Sequence, residues 1–500
     1  MKIKRSFLIG GILALELALL LLAIWGLNQR AAYLYGAMEI ISLIVVVLLI
    51  YSRDNPSYKI SWAIVILVFP LFGVFIYLIA GTHYLSPGLR RMIKRAKSFG
   101  LKLRRQDPEV MQALSNEGGG YVKQARFLLT MSDKPVYKGT KAEILLPGEK
   151  MHAKMVEELK RARKFIFMEF FIIAKSEMLD DITEILKQKA REGVEVRLIY
   201  DDAGSMDGMP RGFKKMCKEY GIKTAAFNPF VPVLNKFLEY RDHRKIIVID
   251  GDVGFTGGIN IADEYINRIE LHGHWYDGGI CLYGSAVRNF TIMFLEMWLM
   301  ITGDDLGYEK YLVSTPREDD GYVQPFNDSP FSGNVSEGAY MNIISGANRY
   351  VYIATPYLVI DHEMTITLCN MARAGVDVRI VTPHIPDKWY VYAATRGYYQ
   401  QLMDCGVNIY EYAPGFIHAK MILSDDDVGI IGSVNMDYRS FYLQFEDAVW
   451  LCKNNALKQM KKEFERIFEV SIKIDPEEWK KRGVIAKLCE VLMRLFAPLM

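Results

Sequence analysis

Five hundred residues, 51% of them hydrophobic and with a formal net charge of +3, leave room for two or more domains with sizeable cores. That charge is too small to argue for a nucleic-acid partner. The six cysteines, Cys217, Cys281, Cys369, Cys405, Cys452 and Cys489, form no CxxC or metal-ligand spacing, which excludes a disulfide framework or a cysteine-built zinc site and predicts reduced core residues.

Three apolar runs open the chain, at about Ser6–Leu27, Ala32–Tyr51 and Ile60–Ala80. Each reaches the ~20 residues that cross a bilayer core. The basic start Met1-Lys2-Ile3-Lys4-Arg5 resembles that of a signal peptide, but the apolar core behind it is too long, so the first run reads as a retained anchor. Glu16 and Glu39 fall inside the first two runs and are expected to be protonated or near a headgroup boundary. Pro70 predicts a kink in the third. Residues 1–82 are therefore expected to be a membrane segment of two or three spans.

Residues 83–125 follow as a basic amphipathic linker at the membrane surface. Arg90 to Arg105 holds eight Lys or Arg and no acid, interleaved with Met92, Ile93, Phe99, Leu101 and Leu103. Such a cluster belongs on the cytoplasmic side. It suits either a helix lying on anionic lipid or a solvated flank. Three spans would place Lys2, Lys4 and Arg5 outside, whereas two spans and an interfacial segment would not, and the number of spans stays open.

From about Val136 the pattern becomes alternating strands and helices. Lys164–Ile173 reads as a buried strand, Asp180–Glu192 as a helix and Val194–Tyr200 as the next strand. Tyr350–Ile360, His362–Ala374 and Val376–Thr382 repeat the sequence, with Gly193 and Gly375 at helix C-cap positions. This predicts an α/β fold with mostly parallel sheets flanked by helices, in two halves, 126–305 and 306–475. Gly303–Gly338 reads as a long linker. Residues 476–500 read as a C-terminal amphipathic helix that could pack on the globule or touch the membrane, with packing on the globule the favoured reading.

An internal repeat carries the chemistry. His243-Arg244-Lys245 leads to Asp250 and to Gly257-Gly258-Ile259-Asn260; His418-Ala419-Lys420 leads to Asp425 and to Gly432-Ser433-Val434-Asn435. Each position of the second copy lies 175 residues after its counterpart. Along a strand, His243 and Lys245 share a face, as do His418 and Lys420. Asp250 and Asp425 have the opposite parity and are expected to support Lys or backbone groups. Asn260 and Asn435 are expected to donate to a bound oxygen. Two such sets pooled in one site suit a phosphodiester: lysines and amides balance its charge, one neutral His attacks phosphorus, and the other protonates the leaving alcohol. Asp277 and Glu446 are the candidate carboxylates for orienting the two imidazoles. The other histidines, His83, His152, His272, His274, His362 and His384, are read as structural, with His272 and His274 near enough in sequence to line the site.

With these motifs the chain resembles the phospholipase D superfamily, and more closely the bacterial cardiolipin synthases. The resemblance extends to Asn55-Pro56, Trp62, Pro70, Gly73, Tyr77 and Gly81 in the membrane segment. It continues through Thr355-Pro356-Tyr357, Gly397-Tyr398-Tyr399, Gly406-Val407 and Asp437-Tyr438-Arg439-Ser440. It implies two phospholipase D-like lobes related by a pseudo-two-fold, and a catalytic set of His243, Lys245, Asp250, His418, Lys420 and Asp425. It implies transfer of a phosphatidyl group between two phosphatidylglycerols without metal or cofactor, with His243 favoured as nucleophile. It further implies a multi-pass protein of the cell membrane with its catalytic part in the cytoplasm. Phosphatidylglycerol and anionic lipid are the expected partners, nucleic acid is not, and a homo-oligomer is left open. Two departures touch acceptor choice: Leu358-Val359-Ile360-Asp361 where Phe-Ile-Pro-Asp is expected, and Gln444 where Asn is expected. The alternatives are the same chemistry with water, ethanolamine or another headgroup as acceptor, a membrane-attached phosphodiesterase or nuclease, and an inactive scaffold.

Overall fold

The computed structural model describes residues 18, 21, 29–52, 54–81, 87–229, 240–319 and 321–499. The first apolar run, apart from residues 18 and 21, lies outside them, as do Glu16 and His83. The chain divides into two compact units. One holds residues 1–85, 231–239 and 495–500; the other holds 86–230 and 240–494.

In the first unit the second apolar run forms the helix Gln29–Tyr51, whose Tyr33–Tyr51 portion, with mean hydropathy 2.3, is long and apolar enough to cross a membrane. The third run does not form one such helix. Asn55 caps the helix Pro56–Val68 by accepting from Ser57 N, Phe69 leaves helical geometry (φ −127°, ψ 77°), and Pro70 starts a new helix, Pro70–Ile76. A proline lacks the N–H that would continue the ladder and is at home in a first turn. Gly73 lies so close to the Val65 carbonyl that a side chain would not fit. Val46, Leu49, Trp62, Ile66 and Tyr77 form the core of this unit. The chain's last residues join it: Leu499 packs on that core, and Ser61 Oγ donates to Leu495 O at 2.7 Å.

The second unit carries two large sheets and two small two-stranded ones. Strands are numbered in chain order: β1 Thr140–Leu145, β2 Phe165–Phe170, β3 Glu195–Asp201, β4 Lys223–Phe227, β5 Ile246–Ile249, β6 Val253–Gly257 and β7 Gly279–Gly284 in the first sheet. The second has β8 Tyr322–Asp328, β9 Tyr350–Ala354, β10 Asp377–Pro383, β11 Asn408–Tyr412, β12 Met421–Ser424, β13 Val428–Gly432, β14 Gln444–Cys452 and β15 Ser471–Lys473. The orders are β1-β7-β6-β5-β2-β3-β4 and β8-β14-β13-β12-β9-β10-β11-β15. Through their first seven strands the two orders match place for place.

The sheets are mixed rather than mostly parallel. Among the numbered strands only β2-β3-β4 and β9-β10-β11 run parallel; the other ladders between them are antiparallel. The physical reason is connection length. The helices Glu177–Arg191 and His362–Arg373 are crossovers of the kind that parallel strands need. After β5 and β12 the chain turns back at once through residues of positive φ, Asp250 (54°) with Gly251 (77°) and Asp425 (56°) with Asp426 (67°), which makes hairpins.

Three further expectations are corrected. The stretch 303–338 contains β8 and the start of the helix Val335–Ser345. Pro325 is tolerated there because β8 is an edge strand. The helix Tyr121–Ser132 spans the boundary expected at 126 and packs on the second half, where Asn342 Nδ2 donates to Gln124 Oε1 at 2.9 Å. The helix Val484–Phe496 meets the globule through charged groups, not through its apolar stripe. The basic segment forms the helix Pro87–Leu103, with Ala96 and Leu103 buried and Gly100 against Glu296.

Candidate active site

Neither His-x-Lys stretch lies on a continuous strand. Arg241–Asp242 pairs parallel with Gln444–Phe445 at the start of β14, in the second sheet. The chain then passes through His243, Arg244 and Lys245 outside any ladder and enters β5 of the first sheet. The second copy mirrors this. Gly415–Ile417 pairs with His274–Tyr276, and the chain crosses through His418, Ala419 and Lys420 into β12. Each histidine thus sits where its strand changes partners.

The crossing is held by backbone bonds. His243 N donates to Phe445 O at 2.9 Å, and His418 N donates to Tyr276 O at 2.8 Å. The residue after each acceptor then supplies the carboxylate. His243 Nδ1 lies 2.9 Å from Glu446 Oε1, and His418 Nδ1 lies 2.5 Å from Asp277 Oδ2. Asp277 and Glu446 are wholly buried, and the two imidazoles are nearly so, at 7% exposure for His243 and 6% for His418. An ionised carboxylate only accepts, so each neutral ring carries its proton on Nδ1 and presents a bare Nε2.

Lys245 and Lys420 are buried and donate to the carbonyls of His243 and His418, each at 2.5 Å. That keeps each ammonium beside its own ring. Burial lowers Lys245 to about 8 and Lys420 to about 7. Burial, then Lys245, Lys420, Arg439 and Lys388, push His243 well below its ordinary value. Burial and Lys420 lower His418 to about 4, against the pull of Asp277. Burial raises Glu446 to about 7. Burial and the neighbouring cations thus outweigh the paired carboxylates and favour neutral imidazoles.

The remaining expected residues take different places. Asp250 accepts from Arg163 N, Lys164 N and Phe165 N at 2.7–2.9 Å, and Asp425 from Asn348 N, Arg349 N and Tyr350 N at 2.6–2.9 Å. These are the amides that lead into β2 and β9. Both Asp lie beyond the far ends of β5 and β12, about 20 Å of extended chain from the histidines. They anchor backbone, not the lysines. Asn260 Oδ1 accepts from Ile172 N at 3.0 Å and Nδ2 donates to Tyr265 Oη at 2.8 Å, which leaves one amide N–H. Asn435 Oδ1 is buried with no partner. His272 lies tilted against Trp275 and Phe416 at 6.2 Å between centroids, and His274 Nδ1 lies 3.0 Å from Tyr412 Oη. Among the described residues no group of three or more His, Cys, Asp or Glu is placed to hold a metal ion.

Several participants were not read from the sequence. Ser433 Oγ donates to Glu446 Oε2, whereas a side chain at the matching Gly258 would strike Asp277. The difference was visible as Gly-Ser against Gly-Gly. Gln444, with its amide turned, donates to Glu446 Oε1 at 2.9 Å and accepts from Arg439 Nε at 3.1 Å. Arg244 is buried between Glu169 and Asp242 behind the first histidine, where the second copy has Ala419. Tyr265, Trp275 and Phe416 ring His418 at 5.2–5.7 Å between centroids, while Phe171 meets His243 edge-on at 5.2 Å.

The family described as "Cardiolipin synthase, PLD-like domain" matches residues 155–271 and 340–468, and the family described as "Phospholipase_D-nuclease N-terminal" matches 40–81. The chain is 32% identical to a protein named cardiolipin synthase from Halalkalibacterium halodurans, over 94% of this chain and 95% of that one. It is 33% identical to cardiolipin synthase 2 of Bacillus cereus, over 90% and 88%. It is 38% identical to an uncharacterized protein of Streptococcus mutans, over 91% and 99%. Among solved structures, phosphatidylserine synthase of Haemophilus influenzae superposes with a TM-score of 0.57, at 14% identity, over 75% of this chain and 97% of that one, a likeness of fold.

Proposed function

The chain belongs to the phospholipase D-like cardiolipin synthases, enzymes of the phosphatidyltransferase type, and from that premise we propose that it joins two phosphatidylglycerols into cardiolipin, with release of glycerol. The observation that carries the reading is the crossed pairing of His243 with Glu446 and of His418 with Asp277. It leaves two Nε2 atoms as the reactive groups of one site between two lobes related by a pseudo-two-fold.

His243 Nε2 attacks the phosphorus of the first phosphatidylglycerol. The bond from phosphorus to the glycerol headgroup breaks, and His418, protonated on Nε2, gives that proton to the departing oxygen. A phosphatidyl group now sits on His243 and His418 is neutral. The second phosphatidylglycerol enters, and His418 takes the proton of its terminal hydroxyl. The resulting oxygen attacks phosphorus, and His243 leaves with its lone pair. Lys245 and Lys420 stabilise the oxygens on which charge grows, and the remaining N–H of Asn260 and the amide of Asn435 assist. The phosphodiester adds negative charge beside the imidazoles, so its arrival raises the affinity of His418 for the proton it must carry. Asp250 and Asp425 act at a distance, as positioning residues.

The nearest alternative keeps this chemistry and changes the acceptor. The exposed apolar side chains Ile385, whose N–H donates to Gly415 O at 3.4 Å, and Ile269 and Leu271, in the loop that precedes His274, favour a lipid acceptor over water. The eight basic residues from Arg90 to Arg105 favour a cytoplasmic catalytic part. The test uses purified protein in phosphatidylglycerol vesicles. Glycerol should appear in step with a four-chain lipid, and release of phosphatidic acid instead would replace the synthase reading with a phospholipase.

A further inference from the structure

The C-terminal helix Val484–Phe496 is amphipathic in an inverted sense. Its charged face is the one that docks. Glu490 is 8% exposed and forms a two-pronged ion pair with Arg482, one prong at 2.9 Å. Arg494 donates to Gln401 Oε1 at 2.6 Å and to Gly397 O at 3.3 Å, and lies over the Tyr398 ring. Gly397 lets the helix come close, since a side chain there would press on the Glu490 carbonyl. The apolar face points away from the globule: Val484 is 80% exposed, Ile485 86%, Leu488 57%, Val491 63% and Leu492 44%. At 100° per residue these five fall within about a 120° arc, one continuous stripe. Burying charges while exposing a ridge of aliphatic side chains is unfavourable for a helix surrounded by water.

We infer that this stripe is an interfacial membrane contact, with the helix lying in the headgroup layer of an anionic bilayer. The charge selects an anionic lipid surface over a second copy of the chain, since residues 476–500 carry Lys480, Lys481, Arg482, Lys487 and Arg494 against Glu477, Glu478 and Glu490. A basic amphipathic helix with aliphatic residues on its free face is the form that settles at an acyl–headgroup boundary. The contact does not depend on which headgroup the enzyme transfers.

The test uses the full chain in phosphatidylglycerol-containing vesicles. Of the six cysteines only Cys489 is not buried, so Cys489→Ser with Leu488→Cys gives one site for a nitroxide. A second protein, Cys489→Ser with Lys487→Cys, places the label off the stripe. Relaxation by oxygen, which concentrates in acyl chains, is compared with relaxation by a polar nickel reagent. We expect the label at 488 to favour oxygen several-fold over the nickel reagent and the label at 487 to show the reverse. A label at 488 as open to nickel as that at 487 would overturn the inference. So would a label closed to both reagents with spin–spin broadening, which would mean a second copy.

Discussion

His243 and Glu446 lie 203 residues apart in sequence and 2.9 Å apart in space, and the carboxylate comes from the sheet that β5, the strand after this histidine, does not join. Asp277 and His418 repeat the arrangement in the opposite direction. Each half is therefore incomplete: it holds a histidine whose tautomer is set by the other half. The proposed catalytic unit is therefore the junction between the two halves.

Glu446→Gln and Asp277→Asn should each lower turnover on the order of a thousandfold while the protein stays folded, because an amide no longer fixes Nδ1 as the protonated nitrogen. The coupling should be crossed. Glu446→Gln added to His243→Ala should cost almost nothing more, and the same holds for Asp277→Asn added to His418→Ala. Steady-state rates of the single and double variants, with unfolding midpoints alongside, check this.

Glu446 also predicts a pH dependence. Burial raises its carboxyl to about 7, so the carboxylate form is present above that pH and is lost below it. A protonated Glu446 donates to Nδ1, moves the ring proton to Nε2 and silences the nucleophile. The burst of glycerol release should therefore fall on the acid side of about pH 7. Ser433→Ala removes a donor that favours the carboxylate, and the acid limb should move to higher pH. An unchanged limb in rapid-quench measurements would speak against Glu446 as the titrating group.

The matching position behaves differently. Gly258→Ala puts a methyl group onto Asp277, which must shift away from His418. Turnover should fall nearly as far as in Asp277→Asn, whereas Ser433→Gly should lose only a few-fold. Parallel kinetics on the two variants distinguish a steric role at 258 from a hydrogen-bonding role at 433.

Asp250→Ala and Asp425→Ala should act on stability and not on chemistry. Each strips the acceptor from three backbone amides, a loss of roughly 2–4 kcal/mol. Denaturant midpoints should drop, while turnover per folded molecule stays within about twofold at a temperature where both variants are native.

The repeat was legible because chemistry at fixed spacing leaves a mark in sequence: His243, Lys245, Asn260 and their counterparts stand 175 residues apart. The carboxylates Asp277 and Glu446 were also legible, but not which histidine each serves, since a strand that changes sheets in mid-course looks like any other extended run. The parallel halves of the sheets were readable from the crossover helices. The antiparallel halves were not, because their hairpins turn on Asp250-Gly251 and Asp425-Asp426, which read first as motif residues. The strand Tyr322–Asp328 was hidden by its polar composition, which an edge strand can afford. The C-terminal helix shows the limit of periodicity, which identifies two faces without saying which one meets the protein.

The account rests on a phosphatidyl group carried by His243. The direct measurement is an alkaline quench during the first turnover on phosphatidylglycerol, followed by peptide mass spectrometry. It should find one phosphatidyl adduct, on His243, absent from His243→Ala and discharged as cardiolipin when more phosphatidylglycerol is added. An adduct on another side chain, or full turnover by His243→Ala, would contradict it.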